Sequence, residues 1–227
     1  MTFASDFIES ISPALISLGD RKRAIDAQAY MKDIAPFIGV ATPERRAAVK
    51  KLSKSIRVPT SHELGATARK LWKLEEREFQ YVANDLIDIH WKIADKGFLA
   101  EHVEHLIVTK SWWDTVDGLG SVAVSPLTDK YGCEKLIEQW NKSPNMWLNR
   151  AAIQHHRGRK YETDVKLILQ YCDDHSDSKE FFIVKAIGWA LRDIAKINPR
   201  AVRDFLKSHP DLGRVAVREA ERGLGRL

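Results

Sequence analysis

The string Ser111-Trp112-Trp113-Asp114-Thr115-Val116-Asp117 holds the residue types best suited to chemistry. In a helix, Trp113 and Asp117 stand four apart and share a face. A carboxylate placed there can stabilise a developing positive charge and orient a water. A tryptophan face attracts a cation by ~0.5–2 kcal/mol, depending on desolvation. Taken alone, the pair is a weak signal, because aromatic residues on helices mostly belong to the core. Consecutive tryptophans point about 100° apart on a helix, so one can face the core and the other outward.

Other candidates are weaker. Glu101-His102-Val103-Glu104-His105 spaces its histidines by three, whereas the zinc-peptidase signature needs four around its glutamate, so a solvated helix end is preferred and no metal is expected. Cys133 and Cys172 are too few for a disulfide scaffold and form no CxxC pair. They read as inert thiols in a reducing, cytoplasmic setting. Gly118-Leu119-Gly120 follows no strand and lacks the full phosphate-loop pattern, so no nucleotide cofactor is implied. His155-His156 beside Arg157 suits contact with phosphate or water. Lys185 suits phosphate contact better than a Schiff base for strand cleavage.

The elements that must position these residues read as helices. Gly and Pro number 12 and 8 in 227 residues, below the ~12% typical of soluble domains and against a turn-rich β-sandwich. Thr42-Pro43-Glu44 is a helix start, with Thr as cap, Pro in the first turn and an acid behind it; Ser143-Pro144 and Asn198-Pro199 repeat the device. Phe79, Val82, Ala83, Leu86 and Ile87 have the i, i+3, i+4, i+7, i+8 spacing of one helix face, and residues 179–196 behave similarly. The N-terminal stretch is broken by Asp6, Glu9 and Pro13, which excludes a signal peptide or membrane span there. At 44% hydrophobic and 30% charged, the chain can bury a core and is too apolar for disorder.

Superimposing four helices reveals a period. Phe79, Trp113, Trp147 and Phe182 form one column with separations of 34, 34 and 35 residues. Three positions on lie Val82, Val116, Arg150 and Lys185; four positions on lie Ala83, Asp117, Ala151 and Ala186. An aromatic followed one turn later by a small residue suits helices packed closely in a stack, so the expected fold is all-α, a HEAT-like helical-repeat α-solenoid forming one domain over 1–227. Asp117 breaks its alanine column. If buried unpaired it would be costly, and either a functional site or a partner such as an arginine must offset it. Net charge is +5, and basic residues cluster on separate segments: Lys50, Lys51, Lys54 and Arg57; Arg157, Arg159 and Lys160; Arg192, Lys196, Arg200 and Arg203. That distribution suits a groove tracking phosphates, and it equally suits solvated helix faces.

Several strings resemble the AlkD-type DNA alkylation repair glycosylases, a family of HEAT-like repeat proteins. They are residues 29–32 (AYMK), 42–46 (TPERR), 71–74 (LWKL), 76–80 (EREFQ), 109–117 (TKSWWDTVD), 147–153 (WLNRAAI), 178–183 (SKEFFI) and 185–189 (KAIGW) with Arg192. They run in the family's order across about residues 25–205. The resemblance implies a concave face that binds duplex DNA containing alkylated bases. It also implies hydrolysis of the N-glycosidic bond of cationic N7- or N3-alkylated purines without a metal or cofactor, leaving an abasic site. It places the glycosylase aspartate on Asp117 and the tryptophans flanking the damaged nucleoside on Trp113 and Trp189. The backbone-gripping arginine falls on Arg150, and Tyr30, Thr42, Arg45, Arg46, Phe181, Phe182, Lys185 and Arg192 fall in the DNA groove. Ala41 stands where the family commonly has a glutamine, and residues 121–133 and the tail from Asp211 match no family string. A monomer acting in the cytoplasm, away from membranes, is expected. The rival expectation is a non-catalytic relative that binds distorted or branched DNA by shape. A third, a protein–protein scaffold, predicts no DNA affinity. Asp117 separates the first two, since a pure binder gains nothing from a carboxylate facing phosphates.

Overall fold

The computed structural model describes residues 2–225, and among them every regular element is a helix. Contacts divide the chain into two compact units, one running to Tyr131 and the other starting at Gly132.

The first unit contains α1 (Phe3–Ser17), α2 (Arg21–Tyr30), α3 (Thr42–Ser55), α4 (Ser61–Lys73), α5 (Arg77–His90), α6 (Glu104–Val108), α7 (Trp113–Leu119) and α8 (Ser125–Tyr131). A π-helical turn, Leu99–Val103, leads into α6, and a second, Gly120–Val124, joins α7 to α8. The stripe on α5 is the core: Phe79 is 5% exposed, and Val82, Ala83, Leu86 and Ile87 are fully buried. α4 opens with a reciprocal capping box, in which Thr60 Oγ1 accepts the Glu63 N–H and Glu63 accepts the Thr60 N–H. α2 differs from all of these, since none of its residues is buried. Lys32 and Asp33, at φ 61° and 57°, end its course. The loop that follows is held by Glu78, whose buried carboxylate accepts the N–H groups of Ile38, Gly39 and Val40 at 3.0, 2.7 and 3.2 Å.

The second unit contains α9 (Glu134–Asn141), α10 (Met146–Gln154), α11 (Val165–Asp174), α12 (Phe181–Ala195), α13 (Pro199–Ser208) and α14 (Arg214–Gly223). Its helix starts bear out one expected device and shift another. Asn198 caps α13 by accepting the Ala201 N–H at 3.1 Å, with Pro199 in the first turn. α10 starts two residues beyond Pro144, capped by Asn145 at 2.9 Å from the Trp147 nitrogen, because the Ser143 hydroxyl is engaged one step earlier, accepting the Asn145 N–H at 3.1 Å. In the first unit α3 begins one residue earlier than expected. Thr42 is already helical and Ala41 takes the cap position without a side-chain bond.

The repeat column falls near the start of four helices: third residue of α5, first of α7, second of α10 and second of α12. Two of those helices also share an amide device. Gln80, four residues into α5, donates to the carbonyls of Leu71, Trp72 and Leu74 at the end of α4. Asn149, four residues into α10, donates to those of Trp140, Asn141 and Ser143 at the end of α9. Each amide satisfies carbonyls that a helix end leaves without intrahelical partners. The tail that matched no motif is α14, which lies against α12 at backbone distance: a Cβ on Gly188 would sit 2.9 Å from the Ala216 Cα, and one on Gly223 would sit 2.7 Å from the Arg192 carbonyl oxygen.

Candidate nucleic-acid interface and its carboxylate

Asp117 is half-buried on α7, one turn beyond Trp113, whereas Ala83, Ala151 and Ala186 in its column are 0%, 2% and 0% exposed. The departure from alanine therefore coincides with a departure from full burial. Trp113, at the head of the helix, is half-buried and meets the ring edge of Tyr30, with centroids 6.3 Å apart and planes at 83°. Tyr30 is itself 70% exposed at the end of α2. Trp112 is half-buried too, so the expected division into one core and one outward tryptophan does not occur.

The first turn of α7 is anchored from below. Arg77, 1% exposed, makes a two-pronged contact with Asp114 at 3.0 and 2.6 Å, donates to Thr115 Oγ1 at 2.9 Å and reaches the Lys110 carbonyl at 2.8 Å. Tyr81 donates to the same carboxylate at 2.6 Å. Burial, followed by the Asp114 charge and hydrogen bond, pushes the Tyr81 hydroxyl well above the ordinary tyrosine range, so it stays a donor. Lys110 has φ 47°, an unfavourable conformation for a residue with a side chain. The Arg77 bond to its carbonyl holds that turn in place. Arg77 and Asp114 were missed as site residues. Their only trace in the sequence is that both lie within two residues of the repeat column.

On α3, Thr42 is exposed and Arg46 has a 69% exposed side chain, 3.4 Å from Asp85. Arg45 is different: it is 6% exposed, paired to Asp85 at 2.7 Å and stacked 4.9 Å from the Tyr81 ring centre. Its guanidinium orders α3 against α5, which leaves Arg46 as the outward cation of the pair.

In the second unit, Trp189 lies half-buried on α12 with three cations over its ring: Arg157 at 4.6 Å, Arg150 at 5.2 Å and Lys185 at 5.5 Å. Among the described residues no side-chain cation lies over Trp113. The two tryptophans are therefore electrostatically unlike. Trp189 serves cations of its own chain, whereas Trp113 meets the Tyr30 ring. Arg150 is 1% exposed and donates to the Phe182 carbonyl. Phe182 packs on Trp147 at 5.0 Å, while Phe181 is 58% exposed. Lys185 and Arg192 both reach Glu219 on α14, each at 2.7 Å. Glu219 lies in the tail, and no sequence signal marked it.

His155 departs from its expected contact with phosphate or water. It is 2% exposed, its Nδ1 lies 2.6 Å from the Ala152 carbonyl oxygen, and burial, aided by the neighbouring His156, holds its pKa down at about 3. Cys172 is fully buried and its thiol is pushed up by desolvation, in keeping with an inert residue. No helix among the described residues is long and apolar enough to cross a membrane.

The family model described as DNA alkylation repair enzyme matches residues 11–224. The chain belongs to the DNA alkylation repair enzyme family. It is similar to a predicted DNA alkylation repair enzyme from Enterococcus faecalis, with 28% identity and a TM-score of 0.83 over 92% of this chain and 98% of that one. It also shares its fold with AlkD2 from Streptococcus mutans, at 20% identity and a TM-score of 0.60 over 80% of this chain and 89% of that one. No curated protein matches. The match confirms the all-helical repeat fold and a role in DNA repair for this family member. It also takes in the tail from Asp211 to Leu224, which carried no motif.

Proposed function

We propose that this family member is a monofunctional DNA glycosylase that hydrolyses the N-glycosidic bond of cationic N7- or N3-alkylated purines in duplex DNA. The observation that supports this is Asp117, a half-buried acid one turn from a tryptophan, in a column otherwise filled by buried alanines. Alkylation makes the base a cation and hence a good leaving group, so little general-acid help is needed. As the bond breaks, positive charge develops on the sugar. A fixed carboxylate stabilises it electrostatically and orients the water that adds to C1′. Trp113 and Tyr30, with no side-chain cation over the Trp113 ring, suit the cationic base. Trp189 contributes by holding the cations Arg157 and Lys185 for the phosphate backbone, which fixes register without reading sequence. The expected phosphate grip of Arg150 does not fit a side chain 1% exposed and bonded to the Phe182 carbonyl, so Arg150 acts by ordering α10 against α12. The proposed DNA contacts are Tyr30, Thr42 and Arg46 in the first unit, with Arg45 acting through α3, and Phe181, Phe182, Lys185 and Arg192 in the second.

The test is release of free 7-methylguanine from a duplex carrying that single lesion, with Asp117→Asn alongside. Wild type should release the base, and the Asn variant should lose about 10²–10³-fold in rate while binding the duplex as before. Equal release by both proteins would make Asp117 structural. Tight, salt-sensitive binding with no release from this or a bulkier cationic lesion would favour a binder that reads DNA shape.

A further inference from the structure

Glu219 is the most heavily engaged carboxylate of the second unit, and the glycosylase reading gives it no part. It is 1% exposed. Its two oxygens meet Lys185 at 2.7 Å, Arg192 at 2.7 Å and Arg222 at 3.3 Å. The cations are not buried with it: the side chains of Lys185 and Arg192 keep 24% and 33% of their exposure. Three positive groups on one negative group leave a local charge of two, so Glu219 fixes these cations without neutralising them. α14 can bring the carboxylate this close only because Gly188 and Gly223 admit backbone contact with α12 and its neighbours. Lys185 also stands in the repeat column of Arg150, with its Nζ 5.5 Å from the Trp189 ring centre.

We propose that Glu219 is a positioning residue: from α14 it holds Lys185 and Arg192 in fixed poses on α12, where they take two phosphates of the DNA backbone. This rests on the proposed DNA-repair site and gives the tail helix its function. A free lysine or arginine must give up its rotamer freedom to meet a phosphate, and a pair tethered from behind has already done so. Loss of the tether should therefore be felt less in affinity, where charge dominates, than in the reacting complex, where position does.

The experiment uses the full chain, a fluorescent undamaged duplex titrated at several salt concentrations, and single-turnover release of 7-methylguanine. Lys185→Met with Arg192→Met should lower the salt slope by about 2, at 0.9 per phosphate. Glu219→Gln should reduce release about tenfold with a change in Kd of less than threefold, and should cost nothing further when added to the Lys185→Met/Arg192→Met protein. A salt slope unaltered by the double substitution would overturn the proposal, as would losses that multiply in the combined variant, because Glu219 would then act only by docking α14. If Glu219→Gln does not melt cooperatively, Glu219→Asp, which keeps the charge one methylene back, enters the same cycle, with the same readings. Steep salt-dependent binding without base release would remove the glycosylase chemistry alone, and the slope arm would still decide whether these cations face DNA. Binding that ignores salt would remove both.

Discussion

One turn after the aromatic column, α7 in the first unit places the acid Asp117 four positions on, whereas α10 and α12 in the second place the cations Arg150 and Lys185 three positions on. The supports are just as opposed. Below α7, a buried cation, Arg77, holds an acid, Asp114, and the half-buried residue one turn beyond Trp113 is also an acid. Behind α12, a buried acid, Glu219, holds cations, and the side chains that remain accessible are positive. A repeat scaffold thus keeps its packing column and changes the sign of the charge next to it. In the proposed glycosylase, the acid-bearing region would serve the cationic base and the developing oxocarbenium ion, and the cation-bearing region the phosphates.

The two supports should fail differently. Arg77 is 1% and the Asp114 side chain 9% exposed, so removing one partner strands a charge without water. Arg77→Met should cost about 3–5 kcal/mol in urea unfolding, and adding Asp114→Leu should recover much of it. A single-variant loss below about 1 kcal/mol would mean that water reaches Asp114 and that the first-unit support resembles the half-open one around Glu219. Lys185 and Arg192 can each fall back on solvent, so Glu219→Gln should cost clearly less than Arg77→Met in the same assay.

A pH titration separates the units more finely. His155 of the second unit is buried with its pKa held at about 3, against about 6.5 for a free histidine. Its folded pKa lies below the unfolded one, so between those values the unfolded chain binds more protons, and stability falls as pH drops. The loss begins near pH 6.5 and should reach about 2 kcal/mol by pH 5, at ~1.4 kcal/mol per pH unit. His155→Phe should flatten the profile in that window when wild type and variant are melted side by side. An unchanged slope would place the acid sensitivity in other groups.

Much of this was legible in the sequence because periodicity reports packing. The α5 stripe was readable residue by residue, and the column Phe79, Trp113, Trp147, Phe182 marked four helix starts to within two positions. Asp117 was visible because it broke a column. What escaped was charge pairing across long separations. Arg77 and Asp114 are 37 residues apart and Lys185 and Glu219 are 34 apart, and nothing local distinguishes such residues from any solvated acid or base. The roles of Arg45 and Trp189 were blurred for the same reason. Composition shows that a cation and a ring exist, but not that Asp85 engages Arg45 or that three cations converge on Trp189.

The smallest predicted difference uses the amide that the two units share. Gln80 meets its three carbonyls at 3.4, 3.3 and 3.0 Å, whereas Asn149 meets its three at 2.9, 3.0 and 2.9 Å. Hydrogen bonds weaken as the donor–acceptor distance passes about 3.2 Å, so Gln80 makes one good bond and two marginal ones. Both side chains are buried, and truncating either leaves helix-end carbonyls to find water or go without, at about 1–3 kcal/mol. Asn149→Ala should therefore lose more than Gln80→Ala, by up to about 1 kcal/mol, even though glutamine is the larger residue and leaves the larger cavity. The longer side chain also costs more conformational entropy to order, which narrows the benefit of keeping it. If urea melts give the reverse order, cavity volume governs the register and the amide bonds are incidental to it. If they give the expected order, the polar clamp is the part of the repeat that holds successive helices in step, in the acid-bearing unit and the cation-bearing unit alike.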